Sequence, residues 1–474
     1  MKTTNLVLAL CCSGAIALTA AAQETVASIA GCCKDMPKAT VKKGDTLNVP
    51  LPEIKPAEPA AASISLYRPI DIQRVRPLDQ RGLLMFEYPK NDGVPFKGFV
   101  MSWGAAFTQQ FQGLHHDNAA SPRVVAGANQ NELMGIGNGF NNAAANLYLN
   151  AQLAPGIRVA LESYLSSRHH NETWVKDGYL LIDESPIKFQ PLELLMNFVT
   201  VKAGHFEINY GDAHFRRSDN GNALYNPFVG NLILDAFTTE IGGEVYVRLG
   251  PAMVMGAITG GEVKGTVQQS GKRSPSYIGK IGYDRQVSTD LRVRLTGSAY
   301  QNYKSGSNTL YSGDRAGSRY FLVMENTAAT AAAAAWSGNI NPGFRNSITS
   351  FQVNPFIKYR GLEFFGVDEM SKGQASTEKA ERVIHQYSAD LVYRFLAGEK
   401  AYVAARYNQV NGALAGIAND ISVDRQAFAA GWFLTPGLML KGELVTQKYN
   451  DFPTTDIRHD GKFKGFVLEG VVAF

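Results

Sequence analysis

The stretch Phe463–Phe474, FKGFVLEGVVAF, ends on an aromatic residue behind an alternating apolar pattern. Counting back from Phe474, every second residue as far as Phe466 is apolar or glycine, whereas Glu469 belongs to the other set. Side chains of a strand alternate between two faces, so this segment has one wholly apolar face. Such a face meets a core in a soluble sheet, or lipid in a membrane barrel whose other face lines the lumen. An ordinary edge strand is the alternative at this point.

The start of the chain indicates export. Lys2 precedes an apolar run from residue 6 to residue 18, and small residues follow up to Ala22, which predicts a secretory signal peptide over residues 1–22. No later stretch approaches 18 uninterrupted apolar residues, which excludes a helical membrane protein. The sequence IAGC ending at Cys32 is similar to a lipoprotein cleavage box, but residues 23–25 separate it from the apolar run. Lipidation of Cys32 therefore stays open.

Cysteine usage and charge exclude several classes of protein. All 4 cysteines lie at or before Cys33, so the rest of the chain has neither a disulfide scaffold nor a cysteine-built metal site. A net charge of +4 over 474 residues gives no support to nucleic-acid binding. We expect no cofactor.

Residues 23–95 form a second region rich in proline and basic residues. Proline at this density predicts an extended segment with little core of its own. It is either a periplasmic tether or a segment that threads into a lumen, and the sequence does not choose between them.

From residue 96 onward the chain is a series of alternating segments of strand length. Tight turns such as Thr435-Pro436-Gly437 alternate with long polar loops such as residues 210–237 and 302–346. We therefore predict an all-β fold, an antiparallel transmembrane β-barrel of about 16 strands over residues 96–474, with short periplasmic turns and long outer loops. The strands are predicted to start near Lys97, Asn142, Ile157, Trp174, Met196, Thr238, Ala252, Ser276, Asp290, Ser347, Leu362, Glu381, Lys400, Asp420, Leu438 and Gly461.

The predicted barrel implies a place in the outer membrane, with lipid around its wall. Phe474 would end the strand that closes the barrel. A terminal aromatic residue behind alternating apolar residues resembles the signal by which the bacterial barrel-assembly machinery recognises its clients. We expect Phe474 to serve that partner.

The segment VKAGHFEINYG, residues 201–211, resembles a strand-and-loop motif of the phosphate-selective porin O/P superfamily and its dicarboxylate-channel relatives. The resemblance implies a Gram-negative outer-membrane porin, a homotrimer, through which small hydrophilic solutes diffuse passively. Phosphate-specific members carry a dense ladder of lumen arginines, and this chain has a thinner one. Selectivity for phosphate over carboxylate therefore does not follow.

The loop after this motif lies between the fifth and sixth predicted strands. In sixteen-stranded porins the loop at this position typically folds into the lumen, which implies a pore constriction at His214, Arg216, Arg217 and Asp219. Opposite charges there would set up a field that orients dipolar or anionic solutes. The alternative is a surface loop with solvated arginines.

Lumen-facing residues follow from the rule that the apolar face of each strand meets lipid. Basic residues outnumber acidic ones about two to one on the predicted lumen faces, which favours anions. The alternative is that they form salt-bridge ladders within the wall. The predicted pore-lining bases are Arg158, Arg168, Lys202, Lys280, Arg292, Arg294, Lys358, Arg394, Arg406 and Lys441.

Two other functions compete with transport. A closed barrel could act as an adhesin or structural anchor, as the long loops and the proline-rich region suggest. A hydrolase is the less favoured alternative, because adjacent His169 and His170 point to opposite faces of a strand and no Gly-x-Ser-x-Gly motif is present. We therefore expect no enzymatic activity.

Overall fold

The computed structural model describes residues 67–141, 143–166, 173–261, 273–314 and 319–474. The predictions for the signal peptide, for Cys32, for Arg168 and for the His169–His170 pair lie outside the described residues.

Sixteen strands form one closed wall. Each strand pairs antiparallel with its neighbour in sequence, and the first and last strands also pair, with Ala106 opposite Ala473 and Asp117 opposite Lys462. The predicted all-β barrel is confirmed, and each predicted start lies within three residues of the observed one. The strands are β1 Val100–Asp117, β2 Ala144–Ala154, β3 Ile157–Ser166, β4 Thr173–Ile182, β5 Val199–Glu207, β6 Thr239–Leu249, β7 Ala252–Thr259, β8 Ser276–Gln286, β9 Leu291–Asn302, β10 Ser347–Tyr359, β11 Leu362–Gln374, β12 Arg382–Phe395, β13 Ala401–Gly412, β14 Ile421–Thr435, β15 Leu438–Asn450 and β16 Lys462–Ala473.

Alternation along the strands gives the wall two different surfaces. In β14, Val423 and Arg425 point inward and are buried, whereas Phe428 and Trp432 point outward and are more than half exposed. The same pattern in the other strands builds a continuous apolar outer belt. A closed barrel with such a belt is an outer-membrane protein, because lipid covers the outward side chains and no strand edge is left unpaired. Among the described residues, no helix is both long and apolar enough to cross a membrane.

At one end of the barrel, consecutive strands are joined by short turns, with one exception. Between β4 and β5 the chain makes a 16-residue connection, residues 183–198, that contains a helix, α1 Gln190–Met196. The sequence analysis did not predict this helix and started the fifth strand near Met196. Pro191 lies in the first helical turn, where its missing N–H is no loss.

Three segments occupy the lumen of the barrel. They are the strap, residues 67–99, the lumen loop, residues 208–238 between β5 and β6, and the outer loop, residues 303–346 between β9 and β10, of which residues 315–318 are not described. A barrel of this size cannot be filled by its own wall side chains, so inserted chain is needed to close it.

The strap contacts opposite sides of the wall at the short-turn end. The Gln73 amide donates to Gln152 of β2 at 2.8 Å, the Gln80 amide donates to the Pro436 carbonyl at 3.0 Å, and Phe86 packs on Phe356 of β10. The sequence left open a periplasmic tether or a segment that threads into the lumen, and residues 67–99 lie in the lumen with Ile72 and Phe86 buried.

The lumen loop crosses the barrel interior. Asn220 donates to the Ala145 carbonyl of β2 at 2.6 Å, and the amide of Val229 donates to Glu443 of β15 at 2.8 Å. The loop leaves β5 through Gly211, which has φ +70°, and a Cβ atom there would lie 1.8 Å from the Gln352 side chain. Only glycine fits this corner without displacing Gln352.

The outer loop packs above the lumen loop, toward the long-loop end. The Tyr320 hydroxyl donates to Glu443 at 2.6 Å, Arg319 pairs with Glu469 at 3.1 Å, and the amide of Ile340 donates to the Ile233 carbonyl at 2.7 Å. The alanine-rich run within it forms one exposed helical turn, residues 331–334. The outer half of the lumen is therefore packed with side chains from both loops.

Candidate solute cavity

A cavity of about 700 Å³ enters the barrel from the short-turn end. Its rim includes Phe474 and the turn at Pro436, and the strap forms one side. It reaches inward to Lys176 of β4 and to Asp219 of the lumen loop. The cavity is thus large enough for a small solute, and its inner end lies against the lumen loop.

Arg158 of β3 lies in the cavity wall and is 2% exposed. Its Nη1 donates to Asn150 at 2.6 Å, its Nη2 donates to the Tyr179 hydroxyl at 3.2 Å, and the Tyr88 ring lies 5.2 Å away. Its Nε has no hydrogen-bond partner, and no ion pair to Arg158 occurs in the part of the chain that the structure describes. A buried guanidinium without a carboxylate partner favours an anion nearby.

Besides the exposed Arg68, two further arginines in the cavity lack a carboxylate within 4.0 Å among the described residues. Arg76 of the strap stacks on Tyr225, 3.6 Å from the ring centre, and donates to the Phe215 carbonyl at 2.9 Å. Arg248 of β6 donates to Thr200 at 3.3 Å. Together with Arg158 these side chains form an arginine set, Arg76, Arg158 and Arg248, on the cavity wall.

Lys176 holds a network of carboxylates at the inner end of the cavity. Its Nζ lies 3.3 Å from Glu162 and 3.4 Å from Glu207, and it also pairs with Asp219. Lys176 was not predicted to face the lumen, because strict alternation along β4 would point its side chain to lipid. The register of β3 and β4 shifts here, with Glu162 opposite Asp177 but Ser163 opposite Val175. The extra residue, Lys176, forms a bulge that turns its side chain inward.

The residues predicted to form a constriction lie in the lumen loop, but its two arginines are each paired with carboxylates. Arg216 bonds to Glu363 of β11, and Arg217 donates to Asp235 at 2.9 Å and also pairs with Asp314. The space beside the two arginines is about 10 Å³, room for about one water.

Asp219 and His214 lie nearer the cavity. Asp219 accepts from the Tyr164 hydroxyl at 2.5 Å, and its contact with Arg217 is longer, 3.7 Å. His214 Nδ1 lies 2.7 Å from Glu207. The loop therefore brings these two residues to the inner end of the cavity and holds the two arginines away from it.

Nine predicted pore-lining bases fall within the described residues and point into the barrel, but eight of them have a carboxylate partner. Examples are Arg406 with Asp390 at 2.6 Å and Lys441 with Glu469 at 2.9 Å. Arg158 is the exception. The other pairs are Lys202–Glu244, Lys280–Asp212, Arg292–Asp284, Arg294–Asp212, Lys358–Glu399 and Arg394–Glu363.

The predicted twofold excess of bases does not hold for the cavity. Its lining has acids in numbers similar to the bases, because wall carboxylates such as Asp177 and Glu207, which were not predicted to face the lumen, lie beside the bases. The bases are Arg68, Arg76, Arg81, Arg158, Lys176, Lys202 and Arg248, and the acids are Asp71, Asp79, Glu87, Glu162, Asp177, Asp183, Glu207 and Asp219.

An ionic latch fixes the strap to the wall and to the lumen loop. Glu87 of the strap lies 2.9 Å from Lys280 and 2.7 Å from Arg294, and Asp212 of the lumen loop contacts the same two bases at 2.7 and 2.8 Å. Burial would raise the pKa of the Glu87 carboxyl, but Lys280 and Arg294 lower it to about 2. The seated strap therefore strongly favours the ionised form of Glu87.

No group of three or more His, Cys, Asp or Glu side chains able to hold a metal ion occurs within the described ranges. His205, one of the described histidines in the wall, hydrogen-bonds to Thr239 at 2.9 Å. This hydrogen bond joins the neighbouring strands β5 and β6.

Comparisons with known proteins find similar barrels among solved structures. The anion-selective porin from Comamonas acidovorans is 11% identical, with a TM-score of 0.49, over 79% of this chain and 100% of that chain. OmpT of Vibrio cholerae, in a trimer form, is 10% identical, with a TM-score of 0.47, over 80% and 100%. The outer membrane channel DcaP of Acinetobacter baumannii is 10% identical, with a TM-score of 0.45, over 80% and 98%.

No protein-family model matches the sequence, and no curated protein matches it. The assignment as an outer-membrane barrel rests on the closed sixteen-strand wall and its apolar belt.

Proposed function

We propose that this barrel is an outer-membrane channel for the passive diffusion of small hydrophilic solutes, with a preference for anions that carry carboxylate or phosphate groups. The observation that carries the proposal is the arginine set in the cavity. Three guanidinium groups without a carboxylate partner, in a cavity open to one end of the barrel, favour an anionic solute. Of the three, Arg158 is the best suited to bind an anion, because it is buried and its Nε has no hydrogen-bond partner.

The described conformation is closed above the cavity, so transport requires movement of inserted chain. Two inserted segments would move. The strap meets the wall through the Glu87 ion pairs and through apolar contacts of Leu78, Leu83, Phe86 and Tyr88, and the outer loop closes the long-loop end. The lumen loop is held more firmly, through buried main-chain contacts with β2, β13 and β15. Once the strap and the outer loop leave, Asp219 and His214 would border the narrowed passage, with Arg216 and Arg217 in the same loop, as the sequence predicts for a constriction.

Solute flux into liposomes tests this function. Proteoliposomes should admit small organic anions faster than neutral sugars of equal size, and Arg158→Gln should reduce that difference. Lys358→Gln is the control, since Lys358 pairs with Glu399 at the rim. Folded, heat-modifiable barrel that admits neither class of solute would overturn the proposal.

A closed barrel that acts as an adhesin or structural anchor is the second candidate. The filling of the outer half of the lumen by the two loops favours it. It predicts no flux for the native protein and none after the strap is released, whereas a channel conducts in at least one of these states.

Two partners belong to the same proposal. The barrel would assemble as a homotrimer, which the mass of the unheated complex tests. Phe474 would present the closing strand to the barrel-assembly machinery, since it is exposed beside Trp103 on the outer face.

A further inference from the structure

The connection between β4 and β5 exposes an unusual amount of apolar surface. Within residues 187–198, five large apolar side chains are exposed, each by about half or more of its surface. They are Ile187, Phe189, Leu194, Leu195 and Phe198. Water-exposed apolar surface of this density marks a contact with a membrane or another protein.

This segment is fixed on the rim of the barrel. The Asp183 amide donates to the Gly156 carbonyl at 2.8 Å, and the Arg248 amide donates to the Phe198 carbonyl at 2.9 Å, so both ends are tied to neighbouring strands. Met196 is the buried side chain of α1. Leu194 lies nearly opposite Met196 around the helix, and it therefore faces away from the barrel.

The exposed residues continue the apolar belt of the wall. Phe198 directly precedes β5 and lies beside the end of β6, where Leu249 is 61% exposed. Val247 and Val245 extend the same surface along β6. The belt meets lipid, so a surface continuous with it meets the same leaflet.

We propose that residues 187–198 form an interfacial lipid contact, in which α1 lies in the headgroup region of the leaflet at the short-turn end. The two charged side chains, Lys188 and Glu193, are of opposite sign, so the segment offers no net charge to a charged protein partner. Glu193 and Asn197 lie one turn apart on one side of the helix, whereas Leu194 and Leu195 lie on the other. This division matches a helix that rests in a membrane interface.

Site-directed fluorescence tests the contact. The full chain with its four native cysteines replaced by serine receives single cysteines at Leu194, Leu195 or Glu193, each labelled with an environment-sensitive dye and reconstituted in phosphatidylethanolamine/phosphatidylglycerol vesicles. Lipids brominated near the headgroup should quench the dye at 194 and 195 severalfold more than at 193, while aqueous iodide should show the reverse order.

Two results would overturn the proposal. Iodide quenching at 194 and 195 as strong as at 193 would place the helix in water. Protection from both quenchers that appears only in the oligomer would assign the surface to a second copy of the chain. Val175→Cys on β4 is the matched reference, since it lies in the outer belt and must be quenched by lipid if the barrel is inserted.

Discussion

Replacing Glu87 with glutamine should release the strap while keeping the shape of the side chain. A pKa lowered from 4.5 to about 2 corresponds to about 3 kcal/mol of favourable interaction with the ionised carboxylate. Asp212 and Asp284 still pair with Lys280 and Arg294 after the change, so we expect a smaller loss, about 1.5 to 3 kcal/mol. The ratio of seated to released strap should therefore fall by about 10- to 100-fold.

Single-channel recording in planar bilayers measures this effect as a rise in open probability. The matched control is Asp71→Asn on the same strap, because the Asp71–Lys97 pair is largely exposed and contributes little. An unchanged open probability in Glu87→Gln, or an equal rise in both variants, would refute the latch.

The same latch gives the native protein a pH dependence. The released strap has an ordinary carboxyl pKa near 4.5, and the seated strap has a lower one, so the contribution of Glu87 is complete above pH 4.5 and is lost as the pH falls toward 2. Open probability should rise between pH 5 and pH 3, and the rise should be weaker in Glu87→Gln.

Three further predictions follow from single residues. Gly211→Ala should lower stability by about 1 to 3 kcal/mol, seen as a lower heat-modification temperature, and Gln352→Ala in the same chain should recover part of the loss. Burial raises the pKa of Glu325 in the outer loop to about 7 despite Arg458, so the packed loop favours the protonated form and loses stability as the pH rises from 4.5 to 7. Limited proteolysis of that loop should be faster at pH 8 than at pH 5, and Glu325→Gln should abolish the difference. Phe474→Ser should lower the yield of folded barrel in the outer membrane severalfold, measured as the heat-modifiable fraction, while refolding in detergent changes less.

The wall of the barrel could be predicted from the sequence because each strand and each turn is recognisable from a few neighbouring residues. Strand after strand alternates lipid-facing and lumen-facing residues, as in β14 and β16, and the turns carry Gly, Pro and Asp. Two features broke the rule. The bulge at Lys176 reverses the alternation, and residues 183–198 replace a tight turn with a helix.

The interior could not be predicted in the same way because its partners are distant in sequence. Arg216 finds Glu363, which lies 147 residues away, and Arg217 finds Asp314, which lies 97 residues away. The strap was predicted to be a linker because of its prolines, and its partners on the wall lie far away in sequence. The sequence count left out lumen-facing acids on the strands, such as Asp177 and Glu207, and therefore overestimated the positive charge of the lumen.

The central claim, that the arginine set makes this barrel an anion-preferring channel, is tested most directly by the reversal potential across a potassium chloride gradient. The measurement uses Glu87→Gln, in which the strap is released, with and without Arg158→Gln. We predict a reversal potential of the sign for chloride preference, shifted toward zero by Arg158→Gln and unchanged by Lys358→Gln. A cation-preferring channel, or an anion preference that survives Arg158→Gln in full, would contradict the account.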